Sequence, residues 1–133
     1  MSVGNSRQYD GEDVDVTGAV TAAAIEVHKV AGPGLLESAC QKLFGRELDI
    51  RGIPYLREVP VDVHYKGLVV EAGYFLDFLV GGRVVVELKS VEAIAPVHDA
   101  QLLTYLRLTG RRVGLLINFN VPRLKDGIQR RVI

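Results

Sequence analysis

The sequence lacks three features that would each point to a particular class of protein. It has a single cysteine, Cys40, among 133 residues, so it cannot form an internal disulfide, and this usage is typical of a reducing compartment. It has no apolar run near the ~18 residues that a membrane-spanning helix needs, and its first residues do not combine a basic segment with an apolar run. We therefore expect a cytoplasmic protein with no membrane partner.

An excess of charge of either sign is also missing. Sixteen Lys and Arg residues balance sixteen Asp and Glu residues, so bulk charge does not predict a nucleic-acid partner, and any such surface must come from local clustering. Hydrophobic residues make up 48% of the chain, an ordinary globular composition, and a chain of this length can bury one core. We expect a single domain at 17–133, after a polar, aperiodic and flexible tail at 1–16.

The spacing of apolar residues predicts two helices, three consecutive strands, a third helix and a further strand. The first helix is expected to start at Thr17 and stop at Gly32, and the second to run from Leu35 to Gly52. The other predicted elements are strands at 55–65, 68–80, 83–89 and 112–119, a helix at 98–109, and a basic segment at 124–133 that is available as an edge strand. This order predicts an α/β (α+β) domain with a mixed sheet, built from a three-strand antiparallel meander plus a further strand and flanked by helices.

The stretch from Tyr74 to Ser90 carries charges that ordinary strand composition does not explain. Two runs rich in β-branched and aromatic residues flank Gly81-Gly82, which predicts a hairpin. Asp77, Glu87 and Lys89 lie inside these runs, where an unpaired charge is costly to bury. The conflict between apolar strands and internal charges marks this hairpin as the candidate site.

The length of the turn decides whether these charges meet. A two-residue loop would leave the two carboxylates on opposite faces, whereas a three-residue loop at 81–83 pairs Val80 with Val84 and Asp77 with Glu87. We predict the longer loop, which places both carboxylates and the lysine on one face. The other face is then expected to be apolar and to be shared by Leu76, Phe78, Val84, Val86 and Leu88. Because facing carboxylates repel each other, the arrangement makes most sense around a cation such as Mg²⁺.

The order of elements resembles the restriction-endonuclease-like core, and the hairpin resembles the split acidic and E-x-K elements of the PD-(D/E)XK nuclease superfamily. More closely, four segments resemble the GxxExxY protein family, a bacterial and archaeal group placed within that superfamily. These segments are G-P-G-L-L-E-S-A-C at 32–40, V-V-V-E-L-K at 84–89, Q-L-L-T-Y-L-R-L-T-G at 101–110 and V-P-R-L-K-D-G-I at 121–128. The resemblance covers nearly all of 17–133.

This resemblance implies a metal-dependent nuclease that hydrolyses phosphodiester bonds of DNA or RNA. Asp77 and Glu87 would hold Mg²⁺ or Mn²⁺, and Glu37 would be an additional acidic ligand on the leading helix. Lys89 would lie beside the attacking water or the phosphate, where a compact cation stabilises negative charge. Metal binding should weaken as the pH falls, because protons compete for the carboxylates.

The third predicted helix carries two further candidate catalytic residues. By the resemblance, Gln101 and Tyr105 match the Q-x-x-x-Y element of the exonuclease branch, and residues four apart on a helix share a face. One departure concerns the leading helix, where Cys40 stands in place of the tyrosine that gives the family its name. The replacement leaves every proposed ligand in place.

Each candidate also has an interpretation without chemistry. The hairpin charges could form a solvated strand face with a cross-strand ion pair, Glu37 suits the first turn of any helix, and Tyr105 could belong to the core. The whole domain could be a noncatalytic nucleic-acid-binding or assembly module that keeps the nuclease fold. The sequence does not decide whether the substrate is DNA or RNA. A homodimer is also possible, since so small a domain could need two copies to cut both strands.

Overall fold

A five-stranded mixed sheet with helices on both faces forms the fold in the computed structural model, which describes residues 13–133. The helices are α1 (Asp13–Ala31), α2 (Glu37–Ile50) and α3 (Pro96–Thr109), and the strands are β1 (Tyr55–Tyr65), β2 (Leu68–Val80), β3 (Val84–Lys89), β4 (Val113–Asn118) and β5 (Ile128–Val132). The predicted fold class and order of elements are confirmed. No helix in the described range is both long enough and apolar enough to cross a bilayer.

The sheet has the order β1-β2-β3-β4-β5, and β5 forms one edge, as predicted for the C-terminal segment. Strands β1, β2 and β3 form the antiparallel meander, β4 runs parallel to β3, and β5 runs antiparallel to β4. Parallel neighbours need a crossover connection, and α3 supplies it. The carboxyl ends of β3 and β4 therefore lie at the same edge of the sheet, where Lys89 pairs with Asn118.

Two apolar cores form, one on each face of the sheet. The first lies between the sheet and helices α1 and α2, and its largest members are Phe44, Leu48, Phe78, Leu88, Leu115, Ile117 and Phe119. The second lies under α3 and contains Val59, Val61, Leu76, Leu79, Val85, Leu102, Tyr105, Leu106 and Leu116. Because β3 and β4 are covered on both faces, their side chains are buried almost without interruption, as is usual for parallel neighbours.

Helix α1 begins at Asp13, four residues before the predicted start at Thr17. The prediction was therefore wrong for residues 13–16, which belong to the helix. Val16 is fully buried and continues the apolar stripe one turn before Val20, while the acidic first turn suits the positive end of the helix dipole. The remainder of the predicted tail, residues 1–12, lies outside the described residues.

The three-residue turn and its register are confirmed, because Val80 pairs with Val84 and Phe78 with Val86. The predicted face of Leu76 was wrong, since it packs in the core under α3 and not with Phe78 in the other core. The reason lies on the neighbouring strand. Glu58 has a φ of 51° between the Arg57–Phe78 and Val59–Leu76 pairs, and this left-handed residue interrupts the regular alternation of faces at the position opposite Asp77.

We expect the left-handed conformation at Glu58 to govern which substitutions it accepts. A β-branched side chain is poorly tolerated at positive φ, so Glu58→Val should lower the free energy of unfolding by about 1–2 kcal/mol. Glu58→Gly should change it by less than about 1 kcal/mol, because relief of strain offsets the greater entropy of the unfolded chain. Urea unfolding measures both variants. His64→Val, on the same strand, is the control, and equal losses for the valine and glycine variants would contradict the assignment.

Candidate functional site

The two hairpin carboxylates lie where β2 and β3 stop pairing through their backbones. The last paired residues on this side are Phe78 and Val86. One step further, the Asp77 N–H donates to Glu87 Oε2 at 2.8 Å, and the Leu88 N–H donates to Asp77 Oδ2 at 2.9 Å. Each carboxylate thus accepts a hydrogen bond from the backbone of the opposite strand. The strands are separated at this end, and both carboxylates are fixed in the gap.

Burial and mutual repulsion make this pair electrostatically unfavourable when no cation is bound. Glu87 is only 5% exposed, and burial, followed by the nearby charge of Asp77, raises its pKa to about 8. Burial also raises the pKa of Asp77, although the Leu88 N–H and the charge of Lys89 act in the opposite direction. A bound cation would lower both pKa values, because it stabilises the ionised carboxylates.

Lys89 lies at the end of β3, two residues beyond Glu87. Its backbone is fixed by β4, because the Phe119 N–H donates to the Lys89 carbonyl at 2.8 Å. Its charge lowers the pKa of both Asp77 and Glu87, yet it forms no ion pair with an acidic side chain anywhere in residues 13–133. The ammonium group is therefore near the carboxylates and still available to another anion.

Glu37 reaches the same region from the other side, as the first residue of α2. Its charge raises the pKa of both Asp77 and Glu87. The loop before the helix is tied to the sheet, because Ser90 Oγ donates to the Leu35 carbonyl and the Gly34 N–H donates to Asn120 Oδ1. The start of α2 is thus held beside the carboxyl ends of the central strands.

Tyr105 lies near the carboxylates on α3, whereas Gln101 is exposed on the same helix. Burial raises the pKa of Tyr105 to about 12, with further contributions from the charges of Glu87 and Asp77, and its ring packs at 5.6 Å against that of Tyr74. Gln101 lies one turn earlier with an exposed side chain. The structure therefore brings the phenol close to the carboxylates and leaves the amide at the surface.

Comparison with protein families decides what kind of domain carries this arrangement. A family model described as the PD-(D/E)XK nuclease superfamily matches residues 14–131. The chain belongs to the PD-(D/E)XK nuclease superfamily. Searches of curated proteins and of solved structures gave no match. The mixed sheet flanked by helices agrees with the restriction-endonuclease-like fold of this superfamily.

PD-(D/E)XK nucleases generally use divalent metals, so the donor set of this chain needs a test against such an ion. Within residues 13–133, no group of three or more His, Cys, Asp and Glu side chains is arranged to hold a metal. Of the three predicted ligands, Asp77 and Glu87 are close together, whereas Glu37 acts on them only through its charge. This separation agrees with the repulsion among three negative carboxylates. The pair fits Mg²⁺ or Mn²⁺, because Mg²⁺ takes one or two carboxylates and completes its shell with waters and phosphates.

One site residue of this PD-(D/E)XK domain was missed from the sequence. Arg57 is exposed on β1 and pairs with Phe78, the residue after Asp77, and its charge lowers the pKa of Asp77. No sequence signal pointed to it, because the turn that pairs Tyr65 with Leu68 would place Arg57 opposite Leu76, and the register shift between Val61 and Val63 moves it to Phe78. The metal-binding and catalytic roles of all these residues stay predictions.

We expect metal-free protein to lose stability as the pH rises, because of Glu87. Its pKa rises from 4.5 to about 8 on folding, so the native state binds more protons than the unfolded chain between these values. The stability that protonated Glu87 contributes is fully present below pH 4.5 and is lost as the pH rises towards 8. The free energy of unfolding falls by up to about 1.4 kcal/mol per pH unit in this range. Glu87→Gln should flatten this slope and be more stable than wild type near pH 8.

Urea unfolding of metal-free protein between about pH 5 and pH 8 measures this effect. Glu71→Gln, which neutralises an exposed glutamate on β2, is the control and should keep the wild-type slope. If the free energy of unfolding depends on pH in the same way for wild type and Glu87→Gln, the pKa of Glu87 is not raised on folding.

Proposed function

We propose that this PD-(D/E)XK protein is a metal-dependent nuclease that hydrolyses phosphodiester bonds of DNA or RNA. The observation that carries the proposal is the pair of buried carboxylates, Asp77 and Glu87, fixed in the gap between β2 and β3 by reciprocal bonds to the opposite backbones. Buried carboxylates with unfavourable charge are typical of functional sites. A surface ion pair would have no need of this burial.

In this proposal Asp77 and Glu87 hold Mg²⁺ or Mn²⁺, and Glu37 is the additional acidic ligand. A divalent cation bound there would polarise the scissile phosphate and lower the pKa of a bound water. Lys89, which has an ammonium group without a carboxylate partner, stabilises the negative charge that develops on the phosphate. Tyr105 keeps its proton at neutral pH and donates it in a hydrogen bond to a phosphate oxygen, while Gln101 contacts the substrate from the exposed face of α3.

Within the superfamily, we propose that the chain belongs to the GxxExxY family. The support is the ordered set of segments at 32–40, 84–89, 101–110 and 121–128, of which the first carries the Gly34 to Glu37 spacing and departs from the family at Cys40. Cys40 is buried in the core under α1 and α2, and burial raises the pKa of its thiol. This environment supports a packing role at the position where the family has tyrosine. We also propose a cytoplasmic location, because a chain with a single cysteine is typical of a reducing compartment.

A noncatalytic nucleic-acid-binding or assembly module is the second candidate. One observation favours it: within residues 13–133, no three His, Cys, Asp or Glu side chains form a preformed metal site. A domain that had lost catalysis could keep the fold and the carboxylate pair without a use for the cation. The two candidates differ in metal binding and in cleavage.

We expect Mn²⁺ to bind wild-type protein and Asp77→Asn to abolish this binding, because one ligand of the pair is lost. Isothermal titration measures binding, and circular dichroism confirms that both proteins are folded. Glu71→Gln, which removes an exposed carboxylate six residues before Asp77 on β2, should bind Mn²⁺ like wild type.

Cleavage is tested with the same proteins on labelled DNA and RNA oligonucleotides, single- and double-stranded, in Mg²⁺ and in Mn²⁺. Asp77→Asn should lower the rate by at least about 100-fold. If folded wild type binds no Mn²⁺ in the presence of oligonucleotide and cuts none of these substrates, the noncatalytic module is the correct assignment.

We further propose a homodimer formed through the β1–β2 hairpin. Pairing between β2 and β3 involves only residues 78–80 of β2, so the remainder of β2 pairs with β1 alone. This two-stranded arm exposes large apolar side chains, namely Tyr65, Leu68, Val69, Val70, Tyr74 and Phe75. Such a patch marks an interaction surface. Lys66 and Glu71 place opposite charges on the arm, which suits pairing with a second copy about a two-fold axis.

We expect Leu68→Lys to weaken this dimer, because two copies would bring like charges into the apolar patch. Sedimentation equilibrium over a range of protein concentrations gives the dissociation constant. Val97→Lys, at an exposed apolar position on α3, is the matched control. A wild-type protein that stays monomeric at all concentrations, or a Leu68→Lys variant that dimerises normally, would contradict the proposed interface.

A further inference from the structure

Arg57 is a cation near Asp77 that forms no ion pair with an acidic side chain of residues 13–133. It is exposed on β1, and within residues 13–133 the ion pairs involve other basic residues. Its partner across the strands is Phe78, the residue after Asp77. An exposed arginine side chain can adopt many orientations, so its contacts decide whether the guanidinium group is held in one place.

The guanidinium group of Arg57 is held in a defined orientation. Its central carbon lies 5.1 Å from the centroid of the Phe78 ring, a cation–π contact. That ring is fully buried and is fixed by an edge contact with Phe44 at 4.9 Å. Arg57 Nη2 also donates to Gln41 Oε1 at 3.5 Å, a long hydrogen bond. Most of the five N–H donors of the guanidinium thus remain available.

The position of Arg57 complements that of Lys89. Across the sheet, β1 carries the arginine, β2 carries Asp77 and β3 carries Glu87 and Lys89. The two cations therefore lie on the strands to either side of β2, which carries Asp77. Gln41, which contacts Arg57, lies one helical turn after Glu37 on α2. A polyanion that reached the carboxylates would meet Lys89 near both of them and Arg57 near Asp77.

We propose that Arg57, oriented by Phe78 and Gln41, forms a binding subsite for a backbone phosphate of the nucleic acid next to the phosphate at the carboxylates. This subsite rests on the proposed nuclease function. A guanidinium stacked on an aromatic ring presents its donor edge outwards, and paired N–H groups match two phosphate oxygens. Contacts of this kind position a nucleic acid without reading its sequence.

Binding of a fluorescent oligonucleotide tests the subsite. The Glu87→Gln protein, which should not cleave, is compared with the same protein carrying Arg57→Gln or Arg57→Lys by fluorescence anisotropy between about 50 and 200 mM salt. Arg57→Gln should weaken binding about tenfold at low salt and lower the slope of log K against log salt by about one. Arg57→Lys should restore the slope and only part of the affinity, because it keeps the charge and loses the paired donors.

Arg130→Gln removes an exposed arginine from β5, at the opposite edge of the sheet, and should leave binding unchanged. Cleavage by wild type is measured separately. Unchanged affinity and salt slope in Arg57→Gln, or no binding of any oligonucleotide to the Glu87→Gln protein, would overturn the subsite even if wild type cleaves. Loss of binding in Arg57→Gln without any wild-type cleavage would support the subsite and overturn the nuclease assignment.

Discussion

The arrangement of the candidate site depends on one reciprocal contact, in which Asp77 and Glu87 each accept a hydrogen bond from the backbone of the opposite strand. In a regular ladder these N–H groups would donate to carbonyls, and the strands would stay paired. Here the side chains replace the carbonyls, so the hairpin opens without leaving those donors unsatisfied. Glu37 on α2 and Tyr105 on α3 lie near the carboxylates from opposite faces of the sheet.

The two cores keep this gap in place. Val86 and Leu88 pack under α1 and α2, while Val85 packs under α3, so the strand that carries Glu87 is held on both faces. Asn118 on β4 fixes the segment after Lys89, because it exchanges hydrogen bonds with the Val91 backbone. The carboxylates are therefore presented by rigid strands, and a precise site needs such support.

The sequence was sufficient for features with a local cause. A glycine pair between apolar runs predicted the hairpin, and the register confirms the three-residue turn that was chosen because it brings Asp77 and Glu87 to one face. It was insufficient where tertiary context decides. The left-handed Glu58 carries no glycine signal, so the switch of Leu76 to the other core could not be foreseen. The acidic first turn of α1 looked like a polar tail until the burial of Val16 was known.

Neutral net charge and a nucleic-acid substrate are compatible, because the charge that matters is local. When fully ionised, the site has three carboxylates, on Asp77, Glu87 and Glu37, against the cations of Lys89 and Arg57. Without metal, the raised pKa of Glu87, about 8, keeps this residue largely protonated at neutral pH and the balance near zero, whereas one divalent cation ionises the carboxylate pair and makes the balance positive. In the proposed nuclease, metal and nucleic acid therefore favour each other's binding, and by linkage the coupling is reciprocal. A chain with no basic excess can in this way bind its substrate more tightly where the cation is present.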